Sequence, residues 1–151
     1  MKLKKFYRIS IVIAGLAISG CADEATCIPE YTDLLNISFV DESGKAKEIT
    51  VVSLEAEGAN ENFPIIQDST FTTLSIPLNP LDSVIKLNFV QASETNSIIF
   101  SYHAIQRLTD PKCGLETLFD QVKVKDTDFI EAQIVNSVLN KDIKTNVKIT
   151  H

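Results

Sequence analysis

The residues able to do chemistry in this 151-residue chain are few, and their spacing limits what they could do. There are three cysteines, Cys21, Cys27 and Cys113, and two histidines, His103 and His151. A Ser–His–acid hydrolase would have to use His103, yet no serine stands in a Gly-x-Ser-x-Gly elbow. His103 falls on the polar side of an alternating segment, where a solvated strand residue is the expected role, and His151 ends the sequence and is expected to fray. Carboxylates are more abundant: Asp126 and Asp128 share a short segment, Asp110 is near Cys113, and Glu55, Glu57 and Glu61 gather around one turn. Calcium takes roughly six to eight oxygens, and no Asp-x-Asp-x-Asp-Gly loop supplies them. Asp126 and Asp128 are therefore candidates for a weak surface calcium site at most, beside the plainer reading of a charged, solubilising turn. Glycoside hydrolysis needs two carboxylates in a cleft, usually with aromatic platforms, and the chain has no Trp and only three Tyr. Glycine-rich phosphate loops are missing, so neither a nucleotide nor any other cofactor is expected.

The N-terminus directs the chain to a compartment. Lys2, Lys4, Lys5 and Arg8 precede an apolar run over residues 9–18, too short to span a bilayer as a permanent helix. Residues 1–20 read as a secretory signal peptide. Small residues at Ser19 and Gly20 leave the backbone accessible to a processing enzyme, and the thiol of Cys21 follows directly. Ile18-Ser19-Gly20-Cys21 resembles the bacterial lipobox, which implies acylation of Cys21. The competing reading is a short membrane anchor with an incidental cysteine, disfavoured by its length. Each buried methylene contributes about 0.8 kcal/mol, so the two or more acyl chains of a lipoprotein hold it at a membrane surface.

Removing the leader takes away four of 14 basic residues and none of the 20 acidic ones, leaving a net charge of 10 − 20 = −10. An acidic body argues against nucleic acid and anionic lipid as partners. With Cys21 assigned to lipid, Cys27 and Cys113 remain as an even pair in an oxidising compartment, and a disulfide is expected. Closing that loop of 85 intervening residues would stabilise the fold by about 4 kcal/mol. Two buried free thiols are the alternative; a metal pair is disfavoured because neither cysteine has a ligand neighbour at the right spacing.

Residues 21–31 read as a lipidated start and polar spacer, and residues 32–151 as one domain. Within it the hydrophobic period is two. Leu35, Ile37 and Phe39 alternate with polar residues, as do Ile85, Leu87 and Phe89, and Ile98, Phe100, Tyr102 and Ala104. Further β-rich runs lie at 49–54, 71–78, 119–124, 130–139 and 146–149, separated by turn chemistry at 41–44, 57–60, 79–82, 93–96 and 110–114. The expected fold is all-β: an antiparallel, immunoglobulin-like sandwich of seven to eight strands. Pro77 and Pro80 predict a strand that lies at an edge or ends there. Residues 120–139 hold no helical stripe and are expected as strand, turn and strand.

Cys21, Cys27 with Pro29, the Leu35 to Phe39 strand, Pro77 to Pro80, Phe100 to Tyr102, Pro111 to Gly114, and Asn146 to Ile149 together resemble a family of small, uncharacterised lipoproteins of Bacteroidota. Asp23 and Glu24, just after the acylated cysteine, resemble the acidic signal that sends such proteins to the outer face of the outer membrane; chance charge on a solvated tether is the alternative. The resemblance implies location, disulfide and sandwich, and carries no activity. The functional expectation is a cell-envelope protein, lipid-anchored at the outer membrane, that binds or helps assemble an envelope protein partner without catalysis. A small hydrolase centred on His103 and a calcium-dependent adhesion module are the alternatives.

Overall fold

The computed structural model describes residues 34–61, 63–110, 114–140 and 142–151. The leader, Cys21, and the expected Cys27 and Cys113 bridge fall outside the described residues. Nine strands follow one another with no helix among the described residues: β1 (Leu35–Val40), β2 (Ile49–Glu57), β3 (Ile66–Phe71), β4 (Thr73–Ile76), β5 (Val84–Val90), β6 (Thr95–Asp110), β7 (Gly114–Thr127), β8 (Glu131–Ile134) and β9 (Val147–Thr150). They form a four-stranded sheet in the order β4-β1-β9-β8 and a five-stranded sheet in the order β3-β2-β5-β6-β7. One buried cluster joins Leu35, Ile37, Ile149 and Val147 of the first sheet to Val51, Ile85, Leu87 and Phe100 of the second, giving a sandwich-like, two-layered body.

Period-two patterning places these side chains. In β5, Ile85, Leu87 and Phe89 are fully buried, while the residues between them are not. Phe39 extends the same logic in β1 and meets Phe89 edge-on at 5.7 Å, Phe71 at 5.7 Å and Phe129 at 6.3 Å. His151 joins this cluster instead of fraying. Its ring stands perpendicular to Phe39 at 5.8 Å, its N–H donates to the Val40 carbonyl at 3.2 Å, and its carbonyl accepts from Lys47 Nζ.

Several expectations on the strands are corrected. The count is nine, against the seven or eight expected, because β3 is an exposed edge of mainly polar residues with little apolar signal. The run at 71–78 divides at Thr72, where the chain leaves the five-stranded sheet and enters the four-stranded one. Not every pair is antiparallel: β1 and β9 run parallel, with Ile37 opposite Val147 and Val40 opposite Thr150. The first and last strands are not tied by a hairpin, so nothing local forces them antiparallel. Residues 130–139 contain only the short strand β8, and their later part turns back along β7. β4 fits the proline argument, since it ends before Pro77 and lies at a sheet edge.

The parallel seam is closed by Asn146, the single buried polar or charged residue among those described. Its Oδ1 accepts from Asn36 N at 3.0 Å; its Nδ2 donates to Asn136 O at 3.3 Å and Val138 O at 3.0 Å. Its backbone N–H donates to Asn36 O at 2.8 Å. Asn36 continues the network, donating from Nδ2 to Ile143 O at 2.7 Å and accepting from Ser75 Oγ at 2.6 Å.

Two stability tests follow from this packing. Asn146→Ala orphans one buried N–H and two carbonyls and is expected to cost about 3 kcal/mol or more, read as a lowered urea midpoint with an unchanged slope. Phe39→Ala, which empties the centre of the aromatic cluster, is expected to cost about 3–5 kcal/mol in the same titration.

Candidate functional site

β6 and β7 are longer than their sequence signals and run on together past the rest of their sheet. β5 pairs with β6 only as far as Val84 opposite Ser101, and the last contact on that side is the Tyr102 N–H donating to Ser83 O at 2.9 Å. From His103 to Asp110, β6 has β7 on one side and, among the described residues, no strand on the other. The result is a two-stranded ribbon whose eight β6 residues extend roughly 26 Å at about 3.3 Å per residue.

On one face of the ribbon the cross-strand pairs are His103 with Asp120, Ile105 with Leu118, and Arg107 with Glu116. His103 Nδ1 lies 3.1 Å from Asp120 Oδ1, and Arg107 Nε donates to Glu116 Oε2 at 2.8 Å. An apolar pair is thus bracketed by two ion-pairing ones. These are solvent-exposed contacts, His103 and Arg107 both having 57% of their side-chain surface accessible, so each contributes well under 1 kcal/mol. Ile105 and Leu108 are exposed large apolar residues on this arm.

At the ribbon's root, where β5 stops and β6 continues, an open cleft of about 300 Å³ is lined by Pro80, Leu81, Asp82, Ser83, Tyr102, His103 and Ala104. Its wall is fixed from behind by Gly58, whose φ of +82° and close approach to Val84 O leave no room for a Cβ, which would come within 2.5 Å of that oxygen. Tyr102 anchors the floor, donating from Oη to Asn79 O at 3.0 Å; desolvation pushes its phenol up to about 12.

The cleft brings His103 within reach of one carboxylate, Asp120. Asp120 stands outside the cleft lining, and the acid that lines the cleft, Asp82, spends Oδ1 on its own turn, accepting from Ser83 N at 2.7 Å and Val84 N at 3.3 Å. Among the described residues no serine hydroxyl is hydrogen-bonded to His103, so the His–Asp pair has no engaged nucleophile. His103 is exposed on the polar side of its strand, as its alternation with Phe100 and Tyr102 implies.

The carboxylates proposed for calcium serve the backbone. Asp128 Oδ2 accepts from Ser97 N at 3.0 Å and Ser97 Oγ at 2.6 Å, clamping the start of β6 to the end of β7, and Asp126 Oδ1 accepts from Thr127 N at 3.0 Å. Among the described residues no three His, Cys, Asp or Glu side chains gather as a ligand set. Sequence reasoning missed Asp120 as the partner of His103. Counting back from the paired Asp110 and Gly114 puts Gln121 opposite His103; one extra residue in β6 near Leu108 moves Asp120 there. Gln121 itself takes a positive φ of 53° at a second irregularity.

No protein-family model matches the chain, and neither a curated protein nor a solved structure matches it.

Two pH effects are expected. The hydroxyl and backbone N–H of Ser97 hold the Asp128 carboxyl below its ordinary 3.8. Its stabilisation is therefore present above that value and lost as pH falls through the lower folded one, and Asp128→Asn should flatten the acid limb of a stability–pH curve. At the other pole, burial among aromatic rings, then the charge of Lys47, push His151 below its ordinary 6.5. The fold therefore favours neutral His151 and weakens as pH drops below about 6.5, an effect that His151→Phe should remove from the same curve.

Proposed function

We propose that this protein is a cell-envelope lipoprotein, anchored at the outer membrane through acylated Cys21, whose sandwich domain is a non-enzymatic binding or assembly module for an envelope protein partner. An immunoglobulin-like form of the sandwich and a Cys27 to Cys113 disulfide belong to the same proposal. Support for the anchor comes from the order of basic residues, apolar run, small pair and cysteine at the N-terminus. Support for binding comes from the ribbon. Elsewhere the sheet edges are blunted: β4 is four residues long and ends before Pro77, β8 is four residues long, β3 is disturbed by Asp68 at a φ of +45°, and β7 beside the body is covered by hydrogen bonds from Val122 N to Ser137 O and from Leu139 N to Phe119 O. Natural sheets manage their edges in these ways to prevent adventitious pairing. Against that background, a long arm whose β6 edge has no partner strand among the described residues and which exposes Ile105 and Leu108 is an element suited to pairing with another chain.

The hydrolase alternative keeps one supporting observation, the His103–Asp120 pair above its cleft. It lacks an engaged nucleophile, and the pair equally suits a cross-strand surface contact.

Crosslinking and affinity purification from intact envelopes tests the proposal. The acylated protein is expected to capture a reproducible partner. Capture should fall when Cys21→Ala removes the anchor and also when Leu108→Glu, a surface change expected to alter stability by no more than about 0.5 kcal/mol, places charge on the ribbon. No partner with the anchored protein, or a partner indifferent to the ribbon, would count against it.

A further inference from the structure

The free side of β6 presents a fixed pattern of backbone groups. Tyr102 N–H donates to Ser83 O at 2.9 Å, so the backbone of Tyr102 points away from β7 and toward the β5 side. From His103 to Leu108, β6 pairs one-to-one with β7, and its extra residue falls between Leu108 and Asp110. Backbone groups of a regular strand alternate sides, so Ala104, Gln106 and Leu108 also turn their N–H and C=O away from β7. Among the described residues no strand lies beyond them.

We infer that this edge pairs with the same edge of a second copy of the chain, antiparallel, about a two-fold axis between the two Gln106 residues. The inference rests on the reading of the ribbon as a strand-accepting arm and deepens it. The occupant of the β6 edge is a second copy, and the joined arms form a four-stranded platform whose outer β7 strands are left for the envelope partner.

Symmetry sets the register. A two-fold axis places one residue opposite its own image, and for the outward groups to bond, that residue must be Ala104, Gln106 or Leu108. Centring on Ala104 would set Gln106 against Tyr102, whose N–H is already spent on Ser83. Centring on Leu108 would run the seam into the irregularity beyond it. Centring on Gln106 sets Ala104 against Leu108 in both directions and uses every outward group of the three residues in both copies.

The side chains fit this register. Gln106 is exposed, and its amide carries both donor and acceptor, so it can bond its own image where a charged side chain would repel it. Leu108, 61% exposed, comes opposite Ala104 on the same face, with Cα atoms about 5.5 Å apart. Ala104 lines the cleft at the ribbon's root with Pro80, Tyr102 and the 88% exposed Leu81. Each copy's exposed leucine therefore covers the apolar part of the other's cleft, which is the self-complementarity that a two-fold interface requires. Just past Leu108 the bulge bends the strand, at the point where Ser83 of the first copy would otherwise block it. The seam is short, and a weak, reversible dimer is expected.

Sedimentation equilibrium of the full-length protein in density-matched detergent is the test, joined to crosslinking of cysteine variants by a short bis-maleimide, with the linked peptides identified by mass spectrometry. The protein is expected to dimerise at micromolar concentration. Gln106→Cys should link to its own image. Thr117→Cys should not, because Thr117 stands opposite Gln106 on β7 and would lie three strand spacings, roughly 14 Å, from its image. Gln106→Lys, which sets like charges at the axis, and Leu108→Glu should each weaken dimerisation at least tenfold, with an unchanged urea midpoint showing that both variants fold. A monomer at every concentration, a dimer without the Gln106→Cys link, or a dimer indifferent to both charged variants would overturn the inference. The envelope crosslinking is a separate readout: a partner captured by a monomeric chain sinks the inference alone, and a dimer without any envelope partner sinks the binding proposal alone.

Discussion

The parallel pairing of β1 with β9 holds the two ends of the domain together, and the rest of the fold depends on it. β1 is the central link of its sheet, bonded to β4 on one side and β9 on the other. Where β9 begins, the chain must turn between layers, and backbone groups there would be buried without partners. Asn146 solves this with one side chain. Both amide protons and its oxygen are used, the oxygen on β1 and the protons on two carbonyls of the 136–138 segment, so three hydrogen bonds to two segments fix its position. A buried amide fully satisfied in this way favours one register over slipped alternatives, because any slip leaves it unpaired.

Around that seam the molecule has two distinct poles. One is aromatic: Phe39, Phe71, Phe89, Phe129 and His151 interlock with centroids between 5.4 and 6.4 Å apart. The other is the root of the ribbon, where Tyr102 and Phe119 pack at 5.8 Å beneath an exposed arm. β1 leads away from the second pole and β9 arrives at the first, so Leu35 and His151 sit at opposite poles.

The core was readable because alternation is a local signal: Leu35, Ile37, Phe39, Ile85, Leu87, Phe89, Ile98, Phe100 and Tyr102 are all buried where period two puts them. Features set by distant partners were not readable. β3 shows little alternation because it is an exposed edge, the break at Thr72 is a change of sheet within one apolar run, and the length of the ribbon depends on pairing through residues such as Gln106 and Arg107 that are polar on both strands. Asn146 sits before a strand in a polar context, and only the tertiary arrangement makes it a core residue. The His103–Asp120 pair was hidden by one extra residue in β6, which changes the register but leaves no mark in composition. The acidic turn at 126–128 was visible, while its clamp on Ser97, 31 residues away, was not.

The pairing of the first strand with the last also orders events in time. During synthesis β1 emerges early, yet one of its two neighbours is made of Val147 to Thr150, the closing residues of this sequence. The four-stranded sheet therefore stays incomplete until that stretch has left the ribosome, and folding must close a loop of nearly the whole domain, which places it among slow, high contact-order folders.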